Sequence, residues 1–160
     1  MNHKTVFSIY SEYTPNPDVM KFVSNQLLTN SILEFEKAPN ATDFPLIHEL
    51  FLLPFVKTIF LGSNFISIQK NNTIDWDDIS SEIRILIQDK LNSGIRISTK
   101  KMDFKKTKKT KKEIIIEEIL EKQIRPFVMQ DGGDITLISF RKGIVRVLLK
   151  GACNGCHPNQ

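Results

Sequence analysis

The sequence holds two cysteines, Cys153 and Cys156, both inside one C-x-x-C element, "GACNGC", with four residues after it. Thiolate sulfur serves soft metals, redox exchange and nucleophilic attack, and each of these chemistries needs different company. A thioredoxin-like pair needs a helix that starts at the first cysteine, so that the helix dipole lowers the thiol pKa. Gly155 and Pro158 interrupt any helix there. A structural zinc takes four ligands, and one C-x-x-C supplies only two. His157 is near, but closing the site requires His3, His48 or a second subunit. An iron-sulfur cluster also takes four thiolates as a rule, and two subunits giving two each meet that count. Such a cluster sits exposed at an interface and is readily given up. Incidental thiols are disfavoured because both cysteines share one motif flanked by Gly151 and Gly155, where backbone amides can approach sulfur. Zinc and a shared cluster both remain open on these residues alone.

The elements that must present this loop are legible upstream of it. Ile135 to Phe140 and Ile144 to Leu149 alternate as two strands joined by a turn at Arg141-Lys142-Gly143. The second strand runs directly into the cysteine pair. Before the strands, Ile115, Ile119, Leu120 and Ile124 carry helical spacing from Glu113, and Pro126 should kink or restart that helix. "DGGD", Asp131 to Asp134, suits a tight structural turn.

A run of lysines separates this unit from the rest. Lys100 to Lys112 contains eight lysines and one acid, Asp103, and accounts for more than the whole net charge of +4; the remainder is mildly acidic. The segment has no apolar periodicity, and "NSG" at Asn92 to Gly94 reads as a helix stop just upstream. It is expected to be an extended linker. As a nucleic-acid arm, the alternative, it offers one Phe and little else for base stacking or readout, so no specific nucleic acid is expected.

Upstream, "TVFSIY" reads as a strand, and "TPNPDVMKFVSNQ" as a helix capped by Asn16 with Pro17 at its first position. A strand over Ile32 to Phe35 and a short helix capped near Asp43 follow. "VKTIFLGSNFISIQK" reads as a hairpin, and a helix begins after Asp75 with Trp76, Ile79, Ile83, Ile87 and Leu91 along one stripe. His48 lies among apolar residues and is expected to be a half-buried core histidine, not a ligand. With 41% hydrophobic and 25% charged residues, the chain is too apolar to be disordered throughout. Its longest apolar run, Leu50 to Val56, is broken by Pro54 and is too short for a membrane span. The first ten residues look like neither a secretory signal nor a transit peptide, so a cytoplasmic setting is expected, where thiols stay reduced.

Two stretches resemble the Nfu-type iron-sulfur cluster carriers, related to the C-terminal domain of NifU. "IRPFVMQDGGDITLISFRKGIVRVLLKGACNGC", Ile124 to Cys156, is similar to the cluster-binding domain, with I-R-P, D-G-G-D and G-A-C-x-G-C in order. "YTPNPDVMKFVSNQLL", the "VKTIFLGSNFISIQK" hairpin and the Trp76 helix resemble the separate Nfu N-terminal domain. The resemblance implies a non-enzymatic carrier in which Cys153 and Cys156 bind a 4Fe-4S cluster shared across a homodimer. It also implies an upstream scaffold as donor and apo iron-sulfur proteins as acceptors. The expected fold is α+β in two small domains: residues 1–94 as an N-terminal mixed α/β domain that recognises partners, 95–112 as linker, and 113–160 as a helix plus β-hairpin domain. The family continues past the second cysteine into a helix that covers the hairpin. Here His157 to Gln160 follow, so the small domain is expected to lack its last helix and to leave one hairpin face wet.

Overall fold

The computed structural model describes residues 6–99 and 109–152. The lysine-rich stretch at 100–108 and the cysteine pair therefore lie outside the described residues. The α+β class and the two-domain layout hold.

The first domain is a five-stranded sheet in the order β1-β2-β5-β4-β3, built from β1 (Ile9–Tyr13), β2 (Val19–Ser24), β3 (Leu33–Phe35), β4 (Val56–Leu61) and β5 (Phe65–Lys70). Every neighbouring pair is antiparallel. Two helices, α1 (Pro45–Leu50) and α2 (Trp76–Asn92), accompany the strands. Because side chains alternate along a strand, Met20, Phe22, Ile59, Leu61, Ile66 and Ile68 project to one face, where they pack with Leu46, Ile47, Leu50, Trp76, Ile83 and Ile87 of the helices. The intervening residues, Lys21, Val23, Phe60, Phe65 and Ser67, project to the opposite face.

Two expectations fail: the first strand runs over Ile9–Tyr13, overlapping the "TVFSIY" reading only at Ile9 and Tyr10, and an expected helix is a strand. The segment read as a Pro17 helix is strand β2, which pairs with β1 on one side and β5 on the other. All six of its residues are buried, so the polar alternation that announces a strand is missing. Val19, Phe22 and Val23 then mimic helical spacing. Asn16 does cap a donor, but as a turn: its side-chain oxygen accepts from the Asp18 amide at 3.1 Å while Val19 N donates to the Asn16 carbonyl at 3.0 Å. The Ile32 strand, the hairpin and the Trp76 helix appear as read, and α1 starts at Pro45 with Phe44, not Asp43, at its cap. Beyond α2 the chain stays with the first domain: Ile97 is in its core, and Thr99 N donates to the Asp43 carbonyl.

In the second domain α3 (Lys111–Ile119), a π-helical turn (Leu120–Ile124) and α4 (Arg125–Gln130) lead to the hairpin β6 (Gly133–Arg141) and β7 (Ile144–Gly151). Pro126 does restart the helix: lacking an N–H, it breaks the ladder where the wide turn hands over to α4. Thr110 and Glu113 form a reciprocal capping box, with the Thr110 amide and hydroxyl both 2.9 Å from the Glu113 carboxylate. On β7, Ile144, Val145, Val147, Leu148 and Leu149 are exposed by 39% to 62%. These residues alternate between the two faces of β7, so neither face is fully covered, in contrast with the buried inner residues of β4 and β5.

Two outcomes follow from this contrast and from the cap. Amide hydrogen exchange on the apo chain should be slower in β4 and β5 than in β6 and β7; equal protection would show that the second hairpin is stable as it stands. The Thr110 amide, then its hydroxyl, holds the Glu113 carboxyl below its ordinary value. The stabilisation from ionised Glu113 is present above its unfolded pKa and is lost as pH falls through the folded one. In Thr110→Ala the Glu113 pKa, read by NMR titration, should rise toward its ordinary value.

Candidate functional site

The cysteine pair follows β7 immediately, so the site is positioned from its root. Gly151 is the register partner of Gly133, and Ala152, 2% exposed, donates its amide to the Gly132 carbonyl at 3.3 Å. Cys153 and Cys156 themselves lie outside the described residues, as does His3. The chain therefore delivers the pair from a fixed, buried point one peptide bond upstream of Cys153. His48 is half-buried, and its Nδ1 lies 2.8 Å from the Pro39 carbonyl oxygen, a contact that suits an Nδ1–H donor. Among the described residues no group of three or more His, Cys, Asp or Glu side chains is placed to hold a metal ion. Among them, too, no helix is long and apolar enough to cross a membrane.

The I-R-P and D-G-G-D elements, distant in role on paper, form one unit. Arg125 Nε faces Asp134 Oδ1 at 2.8 Å, and its other end donates to the Ile135 carbonyl at 2.9 Å and pairs with Glu121. The Arg125–Asp134 contact lacks hydrogen-bond alignment, so it is an ion pair at close range and not a directed hydrogen bond. Asp134, 3% exposed, is a carboxylate that only a paired cation makes tolerable there. Of the four D-G-G-D residues, Asp131 and Gly132 make the turn, whereas Gly133 and Asp134 open β6.

The root of the loop also touches the first domain. Ser67 Oγ donates to the Gly132 carbonyl at 2.8 Å, Lys21 Nζ donates to the Gln130 carbonyl at 3.1 Å, and the Gly151 amide donates to Glu34 Oε1 at 3.0 Å. Met129 packs on Val23, Phe60 and Phe65. Both glycines have positive φ, and a Cβ on Gly132 would lie 2.8 Å from Ser67 Oγ, one on Gly151 2.9 Å from Phe60. The Gly151 amide is thus engaged by a carboxylate. Sequence reasoning passed over Lys21, Ser67 and Glu34. Their signal was a lysine and a serine, 7% and 2% exposed, set between apolar neighbours in strands.

Fold and root together define a two-domain α+β chain whose two cysteines follow just beyond a hairpin end. Residues 9–94 match the family model described as scaffold protein Nfu/NifU N terminal, and residues 116–160 match the NifU-like domain. The chain belongs to the Nfu/NifU-type scaffold family. It is 34% identical over 154 residues to a Drosophila grimshawi protein named NFU1 iron-sulfur cluster scaffold homolog, mitochondrial, covering 92% of this chain and 52% of that one. The human protein of the same name is 32% identical over 153 residues, covering 92% and 60%. The chain therefore spans about half the length of the curated relatives it matches. The solution structure of a NifU-like protein from Saccharomyces cerevisiae superposes with a TM-score of 0.53 at 26% identity, covering 63% of this chain and 92% of that one.

These relatives overturn the cytoplasmic expectation, since they are named as mitochondrial. That expectation rested on the look of ten residues, and an address is read by receptors and leaves no trace in how a domain packs.

The ion pair gives a direct test. Arg125→Ala leaves Asp134 buried without its cation and should cost about 3–5 kcal/mol. A domain this small has little stability to lose. Amide spectra should show β6 and β7 unfolded while the β4–β5 signals persist; retention of dispersed β6 signals would mean that water reaches Asp134.

Proposed function

We propose that the chain is a non-enzymatic iron-sulfur cluster carrier whose cargo, a 4Fe-4S cluster, is held by Cys153 and Cys156 of two copies. Membership of the scaffold family supports the class of cargo. The observation that carries the reading is the buried, doubly pinned root at Gly151-Ala152, which delivers a two-thiol loop from a fixed point. A loop with two ligands satisfies half of a four-iron cluster, so sharing between chains completes the set. Half-sites have a kinetic merit: an acceptor's thiolates replace the carrier's one at a time, and no ligand must leave a closed cage. The residues from Thr110 onward then act as the cluster domain, the lysine-rich stretch before them as its tether, and the residues up to Thr99 as the domain that selects an upstream donor scaffold and the apo iron-sulfur proteins served.

Anaerobic reconstitution of the full chain tests this. Broad absorption near about 400 nm with about two irons per chain is expected, lost in Cys153→Ala and in Cys156→Ala. A colourless protein that keeps one zinc per two chains would overturn it in favour of a zinc-bridged binding module.

A further inference from the structure

We propose that the second domain, docked on the sheet face that carries Lys21 and Ser67, has the root of the cysteine loop held by that docking, so that the interdomain contact governs how readily the loop is reached. The contact is polar where it needs to be. Lys21 of β2, Ser67 of β5 and Glu34 of β3 each satisfy one backbone group of the second domain: the carbonyls of Gln130 and Gly132 and the amide of Gly151. These groups lie on both chain segments that flank the hairpin, so the sheet clamps the two ends of β6 and β7 together. Phe60 of β4 sits beneath Gly151, and Met129 fills the apolar patch formed with Val23 and Phe65.

The charges on this face are also matched. Lys21, 7% exposed, has its charge countered by Glu12 at 3.2 Å and lies 4.9 Å from the Phe65 ring centroid, and it donates a further N–H to the Gln130 carbonyl. Glycine at 132 and 151 permits the approach, because a Cβ at either position meets Ser67 or Phe60. Cys153 follows Ala152 directly, so a docked root restricts how a reagent or a second chain approaches the thiol. That consequence for cluster sharing rests on the carrier reading; the docking does not.

The test uses the reduced, iron-free full chain. Glu34→Ala removes one interdomain acceptor, and Ser67→Trp places an indole where Gly132 now sits. Glu49→Ala, which removes the partner of Lys90 in α2, is the control away from this face. Two rates are measured: amide exchange at Gly151, and alkylation of the cysteines by iodoacetamide, in which thiolate sulfur bonds to carbon and iodide leaves. Glu34→Ala should speed Gly151 exchange about tenfold or more, the factor expected from losing one hydrogen bond to a charged acceptor. Ser67→Trp should speed both rates by at least that much, while Glu49→Ala matches the parent. Protection of the β4–β5 amides in every variant reports that the first domain is folded. Unchanged Gly151 exchange in Glu34→Ala, or unchanged alkylation in a folded Ser67→Trp, overturns the proposal. No iron is present, so failure here leaves the carrier reading standing, and failed reconstitution leaves the docking standing.

Discussion

The Gly132 carbonyl is the point on which the two halves of the molecule converge. It accepts from the Ala152 amide within its own domain and from the Ser67 hydroxyl of the other. A carbonyl has two lone pairs, and here both are spent, which leaves this buried turn satisfied without water. The approach is possible because Gly132 carries no side chain and adopts a φ of +83°, a backbone state costly for other residues. The strand pairing of Gly133 with Gly151, and hence the direction in which the chain leaves toward Cys153, follows from that turn.

The two domains solve stability differently. The first closes a continuous apolar core between one sheet face and two helices, with Phe22, Leu46, Leu50 and Ile66 fully buried. The second packs its helices on β6 but leaves the apolar side chains of β7 in water, and it relies on a buried ion pair and a capped helix start. A buried ion pair is a poor source of net stability, since desolvation consumes most of the attraction, yet losing one partner is costly because the other charge is left buried. Arg125 ties the start of α4 to the first residues of β6 through Asp134 and the Ile135 carbonyl, alongside the packing of α3 and α4 on that strand.

Much of this was legible in the sequence. The Val56–Lys70 hairpin announced itself through apolar runs around a Gly-Ser-Asn turn, and the Trp76 helix through a stripe at helical period. The cysteine pair, its glycine neighbours and the strand that precedes it were equally plain, because such chemistry is local and is written in consecutive residues. Strand β2 was not legible. Its neighbours β1 and β5 flank it and the second domain covers its far face, so every residue is buried and the pattern loses its period.

What the sequence by itself determined is therefore what short range can encode: two domains, a lysine-rich segment between them, and a thiol pair at the end of a hairpin. Only the tertiary structure decided which distant residues hold that pair's root. Glu34 and Gly151 are separated by 117 positions, and Ser67 and Gly132 by 65. Ser67 between apolar neighbours signals a buried polar group, but neither contact can be paired from sequence, since a carboxylate or a hydroxyl on a strand does not say which distant backbone group it will meet. Arg125 and Asp134 lie close in sequence, yet their pairing too awaited the fold, because the turn at Asp131-Gly132 reverses the chain and brings the charges together in a site from which water is largely excluded.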